Sequence, residues 1–66
     1  MRILLTHHAQ EKMALLGIHE EQLIECIQKG AKTRQTDGWL SSFTYIKVAY
    51  KFKPDGTCKV KTVFIE

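Results

Sequence analysis

The sequence predicts a single α+β domain in which two N-terminal helices pack on one face of a three- to four-stranded antiparallel sheet. In residues 7–29 the apolar side chains recur at the spacing of a helical face, whereas in residues 45–65 they alternate with polar ones as in a strand. A chain of 66 residues is long enough for one small core. We therefore assign residues 1–66 to one domain.

The N-terminal half of the chain is predicted to hold both helices. Residues 2–5 are a short apolar run, which we interpret as an edge strand, with an arm packed on the core as the alternative. Thr6 is a suitable N-cap for a helix over residues 7–16. A second helix is predicted over residues 20–29. A glycine follows each helix, as expected at a helix C-terminus.

The C-terminal third is predicted to form a long β-hairpin around residues 54–57. Proline, aspartate and glycine in this order favour a type I turn closed by a left-handed glycine, which would pair Lys53 with Thr57. A tighter turn would move lysines into the apolar set, so we reject it. The predicted register gives an apolar face with four pairs: Phe52 with Cys58, Tyr50 with Val60, Val48 with Thr62 and Ile46 with Phe64.

The opposite face of this hairpin is predicted to be rich in lysine. Its pairs are Lys51 with Lys59, Ala49 with Lys61 and Lys47 with Val63, with Tyr45 and Ile65 at the far end. Directly opposed like charges destabilise a sheet by about 0.2–1 kcal/mol, and an anionic partner would relieve this repulsion. Lysines on an exposed sheet also prevent aggregation. Charge alone does not separate the two interpretations.

Residues 32–44 are predicted to form a second, shorter hairpin. The Asp37-Gly38 dipeptide lies between β-prone residues and favours a two-residue turn. The pattern does not show how residues 41–44 connect to the long strand that follows.

The positive charge lies mainly in the sheet half of the chain. The formal net charge is +3, and residues 1–31 carry −1 whereas residues 32–66 carry +4. This distribution favours partners that carry phosphate or carboxylate groups, although it is milder than in dedicated nucleic-acid-binding proteins.

The cysteines and histidines do not indicate a metal site or a cofactor. Cys26 and Cys58 fall in a predicted helix and a predicted strand, so we expect buried free thiols rather than a disulfide. None of these side chains has the paired spacing of a tetrahedral metal site. With no leader or membrane-spanning run in the sequence, we expect a soluble cytoplasmic protein that does not contact membranes.

Three short motifs together resemble one family. They are residues 6–13 (Thr-His-His-Ala-Gln-Glu-Lys-Met), the Gly17-Ile18 pair, and residues 59–63 (Lys-Val-Lys-Thr-Val). In this order they resemble domain-of-unknown-function family 4258, whose members are regarded as distantly similar to RelE-type and BrnT-type ribonuclease toxins. The resemblance implies a RelE-like fold, action on RNA and an antitoxin-like protein partner. Lys12 stands where the family usually has arginine, which weakens bidentate phosphate binding at that position.

Metal-independent RNA cleavage needs an acid or base and cations for the developing phosphate charge. His8 is the best candidate for the acid or base, with Lys12 one turn along the same helix and Arg34 on the second hairpin. The competing interpretation is that His8 bonds to the backbone and holds the first strand. Candidate RNA-binding residues are Lys47, Lys51, Lys59, Lys61 and Tyr45; Trp39 is interpreted first as a core residue and second as a stacking platform.

The leading hypothesis is thus a RelE-like, toxin-like domain that binds or cleaves RNA without a metal. The alternative is a noncatalytic interaction module whose lysine face or sheet edge docks an acidic or extended segment of a partner. The sequence does not give the oligomeric state.

Overall fold

Two helices and five strands make up the chain, and the computed structural model describes all 66 residues, Met1–Glu66. The elements are β1 (Ile3–Leu5), α1 (His7–Leu16), α2 (Glu20–Lys29), β2 (Ala31–Gln35), β3 (Gly38–Phe43), β4 (Ile46–Phe52) and β5 (Cys58–Ile65). The strands form one sheet in the order β1-β5-β4-β3-β2. The α+β class is confirmed, and both helices have their predicted bounds.

Local capping explains where α1 begins and ends. The Thr6 hydroxyl accepts a hydrogen bond from the Ala9 N–H at 3.1 Å, which satisfies one of the free donors at the helix start. Gly17 ends the helix in the left-handed conformation, with φ 70°. Ile18 then donates its N–H to the Met13 carbonyl at 2.9 Å and is buried, which is the usual arrangement after a left-handed glycine at a helix C-terminus.

The sheet is larger than predicted and is not wholly antiparallel. It has five strands rather than three or four, and β1 is indeed a strand, which pairs in parallel with β5. The Cys58 N–H donates to the Arg2 carbonyl at 2.9 Å and extends this pairing. A run of three strand residues carries too little pattern to identify a partner some 55 positions away.

The long hairpin has its predicted turn and a bulge that was not predicted. The backbone N–H of Lys53 donates to the Thr57 carbonyl at 2.8 Å, and Gly56 has φ 89°. The pairs nearest the turn are confirmed, including Lys51 with Lys59. Beyond them the predicted register is wrong, because Lys61 is an extra residue in β5. The outer pairs are therefore Ala49 with Thr62, Val48 with Val63, Lys47 with Phe64 and Ile46 with Ile65.

The second hairpin turns one residue earlier than predicted. Gln35 pairs with Gly38, so the turn residues are Thr36 and Asp37 rather than Asp37 and Gly38. Gly38 adopts φ 113° as the first residue of β3, and a Cβ there would collide with the Tyr50 carbonyl oxygen. The close approach of two strands thus requires this glycine. The connection to β4 is a tight turn in which Thr44 has φ 56°.

Both helices cover one face of the sheet and form the core with it. The contacts place α1 mainly against β5, and α2 against β3 and β4. The largest fully buried side chains include Tyr50, Leu23 and Ile27. Successive residues along a strand alternate between this covered face and the open face, where Lys51 and Lys59 lie.

Candidate functional site

The two hairpin turns lie at the same end of the sheet, which we call the turn end. There the chain forms a cleft of about 520 Å³. Its cationic lining residues are Arg34, Lys51, Lys53 and Lys59, and its acidic one is Asp37. Two aromatic side chains, Trp39 and Phe52, also line it, together with Gly38 and Pro54. Charges from β2, β4 and β5 meet here because these strands all start or finish at the turn end.

The lysines of the cleft are positioned by strand alternation. Tyr50 and Val60 are a directly opposed pair and are buried under the helices. The next pair, Lys51 and Lys59, therefore points to the open face of the sheet. Two ammonium groups at directly opposite positions repel each other, so this pair is expected to attract an anion.

Asp37 supplies one anion from within the chain. Its Oδ2 lies 3.4 Å from Lys51 Nζ and 3.6 Å from Lys61 Nζ. Lys61 Nζ also donates to the Asp37 carbonyl oxygen. The hydrogen bond and the charge of Lys51, followed by the charge of Lys61, lower the pKa of the Asp37 carboxyl group. The sequence predicted Asp37 only as a turn residue, and its contact with two lysines was not predicted.

The aromatic side of the cleft combines a cation with a ring. The Arg34 guanidinium lies 5.1 Å from the centroid of the Trp39 ring, within cation–π range. Arg34 and Trp39 are directly opposed on β2 and β3, so the strand pairing sets this contact. Phe52 is 53% exposed and meets the buried Tyr50 ring edge-on, at 5.8 Å between centroids.

Two of the predicted RNA-binding residues lie away from this cleft. Lys47 is near the start of β4 and pairs with the carboxylate of Glu66. Tyr45 lies in the turn before β4 and is 52% exposed. Lys51 lies six positions after Tyr45 along the strand, which corresponds to about 20 Å. The structure therefore groups Lys51 and Lys59 with Lys61 nearby, and leaves Lys47 and Tyr45 at the other end.

The predicted catalytic residues occupy two separate places. His8 is exposed on α1, and its Nε2 lies 2.9 Å from the Thr62 hydroxyl oxygen. Lys12 follows on the same helix and lines a shallow depression of about 630 Å³ with His8 and Glu11. Arg34 lies on β2, three strand spacings from β5, which amounts to about 14 Å. The structure brings His8 and Lys12 together but does not bring Arg34 to them.

The cysteines are free and buried, and burial raises the pKa of both the Cys26 and the Cys58 thiol. The Cys26 thiol donates to the Ser41 carbonyl at 3.3 Å. No group of three or more His, Cys, Asp or Glu side chains is arranged to hold a metal ion. Neither of the two helices is long and apolar enough to cross a membrane.

Three charged or aromatic residues of the cleft were neither predicted as site residues nor considered for stacking: Asp37, Lys53 and Phe52. Phe52 and Lys53 directly precede the turn at residues 54–57, which the sequence predicted correctly.

The fold of two helices on a mixed sheet is similar to that of a solved structure. The chain matches the crystal structure of the RelBE2 toxin-antitoxin complex from Mycobacterium tuberculosis with a TM-score of 0.67 and 13% sequence identity, over 98% of this chain and 96% of that chain. The chain belongs to the family described as Domain of unknown function (DUF4258), whose model matches residues 5–65. No curated protein matches the chain in sequence.

Proposed function

We propose that this chain binds single-stranded RNA, with the RNA phosphates held in the cleft at the turn end of the sheet. The observation that carries the proposal is the meeting of four cationic side chains and two aromatic rings in one cleft. Proteins that bind single strands combine these two features, since cations follow the backbone and rings stack on bases.

The cationic side chains of the cleft come from three strands, so their spacing is fixed by the sheet. Lys51 and Lys59 are directly opposed, and Lys53 continues β4 into the turn. A phosphate between Lys51 and Lys59 would offset their mutual repulsion. The resemblance to ribonuclease toxins supports RNA as the polyanion.

RNA cleavage is the finer hypothesis, and it depends on His8. A general acid or base must lie within hydrogen-bond reach of the reacting group. His8 lies beside Thr62 rather than in the cleft, so an RNA held by the cleft must extend along β5 to meet it. The toxin-antitoxin assembly of the structural neighbour supports, by analogy of fold, an antitoxin-like protein partner that would block such an activity.

The test is a titration of a labelled single-stranded RNA decamer with the purified chain in a salt series without divalent metal. We expect the logarithm of the binding constant to fall linearly with the logarithm of salt concentration. Lys59→Gln removes one cation and one side of a repulsive pair, so the fold is retained. Each lost phosphate contact should reduce the slope by about 0.7. Lys29→Gln, which removes an exposed cation from α2, is the matched control.

Intact RNA binding with equal slopes for Lys59→Gln and Lys29→Gln would contradict the assignment of the cleft. Absence of binding at low salt would reject the RNA proposal. In that case the exposed edge of β2, Ala31–Gln35, becomes the surface to test with extended peptides. Analysing the same samples for RNA fragments, with His8→Ala in parallel, tests cleavage separately from binding.

A further inference from the structure

A second cavity adjoins the cleft and is bounded on one side by α2. Its volume is about 500 Å³ and its lining is largely apolar, with Ile27 from α2 and Tyr50 from β4. Trp39 and Phe52 line this cavity as well as the cationic cleft. The two spaces are thus neighbours that share two aromatic side chains.

Polar groups are present in the lining of this apolar cavity. Gln28, which is exposed on α2, contributes a carboxamide that both donates and accepts hydrogen bonds. Lys32 also lines the cavity, and its ammonium group donates to the backbone carbonyls of Gln28 and Gly30 at 3.4 and 3.3 Å. A flat ligand could therefore place its apolar faces against the apolar lining and its polar edges against Gln28 and Lys32.

We infer that this cavity receives one unstacked base of the RNA, an inference that rests on the RNA binding proposed above. A nucleotide joins a phosphate to a flat ring, and the cleft and the cavity offer a matching anion site and aromatic site side by side. Unstacked bases of single-stranded RNA characteristically stack on aromatic side chains and are read along their polar edges. Trp39 and Phe52 supply the rings, and Gln28 supplies the edge contact.

Continuity with the cationic cleft is the reason for choosing a base as the occupant. An apolar side chain of a protein would fill the cavity but would bring no negative charge to the adjacent Lys51 and Lys59, of which only Lys51 is paired within the chain, with Asp37. The phosphate next to the bound base would reach them. One nucleotide would therefore occupy both spaces, with its base in the cavity and its phosphate in the adjoining cleft.

The experiment uses Trp39 as the reporter, because it is the single tryptophan of the chain. The probes are a single-stranded RNA decamer and an abasic ribose-phosphate oligomer of equal length and charge. We expect the decamer to bind about tenfold more tightly than the abasic oligomer and to quench Trp39 fluorescence, since stacking on one aromatic side chain contributes that much. The abasic oligomer is expected to bind without this quenching.

Two aromatic variants localise the effect. Phe52→Ala should reduce the affinity difference between the two probes several-fold, because one of the two rings that stack on the base is removed. Tyr45→Ala removes an equally exposed aromatic side chain at the far end of β4 and should leave both affinities unchanged. Both positions are half-exposed, so both variants should fold.

Equal affinity and equal quenching for the two probes would overturn the base site while RNA binding through phosphates stands. An affinity difference that survives Phe52→Ala and disappears in Tyr45→Ala would also overturn it, since the base would then bind elsewhere. Failure of both probes to bind would reject the RNA proposal together with the base site.

Discussion

Asp37 and Lys51 form an ion pair of 3.4 Å between Oδ2 and Nζ, which joins the β2–β3 turn to the middle strand of the sheet. The same carboxylate lies 3.6 Å from Lys61 Nζ. The lysines of the open face are therefore partly neutralised within the chain. A phosphate that binds there competes with a carboxylate for the same ammonium groups.

Asp37→Asn is expected to strengthen RNA binding by a few-fold. The change removes the competing negative charge and leaves Lys51 and Lys61 free for phosphate. The dissociation constant is measured by fluorescence anisotropy of a labelled RNA decamer. Asp55→Asn is the matched control, since it removes the same charge at the neighbouring turn, where the carboxylate accepts a hydrogen bond from the Thr57 N–H at 2.9 Å. Equal gains from both variants would show that net charge alone sets the affinity.

The stability of the chain should depend on Asp37 at acidic pH. Because the folded-state pKa of Asp37 is lowered, the ionised side chain stabilises the fold at pH values above its ordinary pKa of 3.8. This contribution is lost as the pH falls through the lower, folded-state value. The free energies of unfolding in urea of the wild-type chain and of Asp37→Asn should therefore differ at pH 6. This difference should vanish at pH values below the folded-state pKa of Asp37. A constant difference across the pH range would contradict the ion pairs.

Gly38→Ala is expected to destabilise the fold by more than about 1 kcal/mol. At φ 113° a side chain is strained, and its Cβ would collide with the Tyr50 carbonyl oxygen. Gly56→Ala provides the comparison, since Gly56 also has positive φ but a Cβ added there would meet no atom within 4 Å. Gly56→Ala should lower the free energy of unfolding by only about 1 kcal/mol, the cost of a left-handed backbone conformation for alanine. Denaturant unfolding of both variants gives the two free energies, and equal losses would contradict the steric argument.

Thr6→Ala is expected to lower the free energy of unfolding by about 1–2 kcal/mol. The hydroxyl accepts from Ala9 N–H at the start of α1 and donates to the Lys61 carbonyl oxygen at 3.1 Å, so the change removes two contacts. Thr33→Ala on the exposed strand β2 should change stability by less than about 0.5 kcal/mol. Thermal or denaturant unfolding measures both. A loss equal to that of Thr33→Ala would rule out the capping role.

Local signals predicted the helices and the long turn because these features depend on neighbouring residues. Thr6, Gly17 and Gly56 each determine a cap or turn over a few positions. The bulge at Lys61 was not predictable, because it lies where Thr6 bonds across to the Val60 and Lys61 carbonyls. Residues 62–65 are compatible with either register, so their alternation does not reveal the extra residue.

The candidate site was predictable only in part, for the same reason. The opposition of Lys51 and Lys59 follows from the turn and was predicted correctly. Their contact with Asp37 depends on how two hairpins lie side by side, which no single stretch encodes. Likewise, the sequence offers Arg34 as a cation and His8 as an acid or base without indicating the distance between them. Only the strand order shows that they lie far apart.

The parallel pairing of β1 with β5 has a consequence for how the protein forms during translation. The first strand and the last strand are neighbours, and α1 also rests on β5. The N-terminal segment therefore has no sheet to join until β5 has left the ribosome. The two hairpins can assemble from consecutive residues beforehand, whereas β1 and α1 must wait, with the apolar side chains of Ala9 and Met13 exposed. Docking of the first sixteen residues is expected to be the last step of folding.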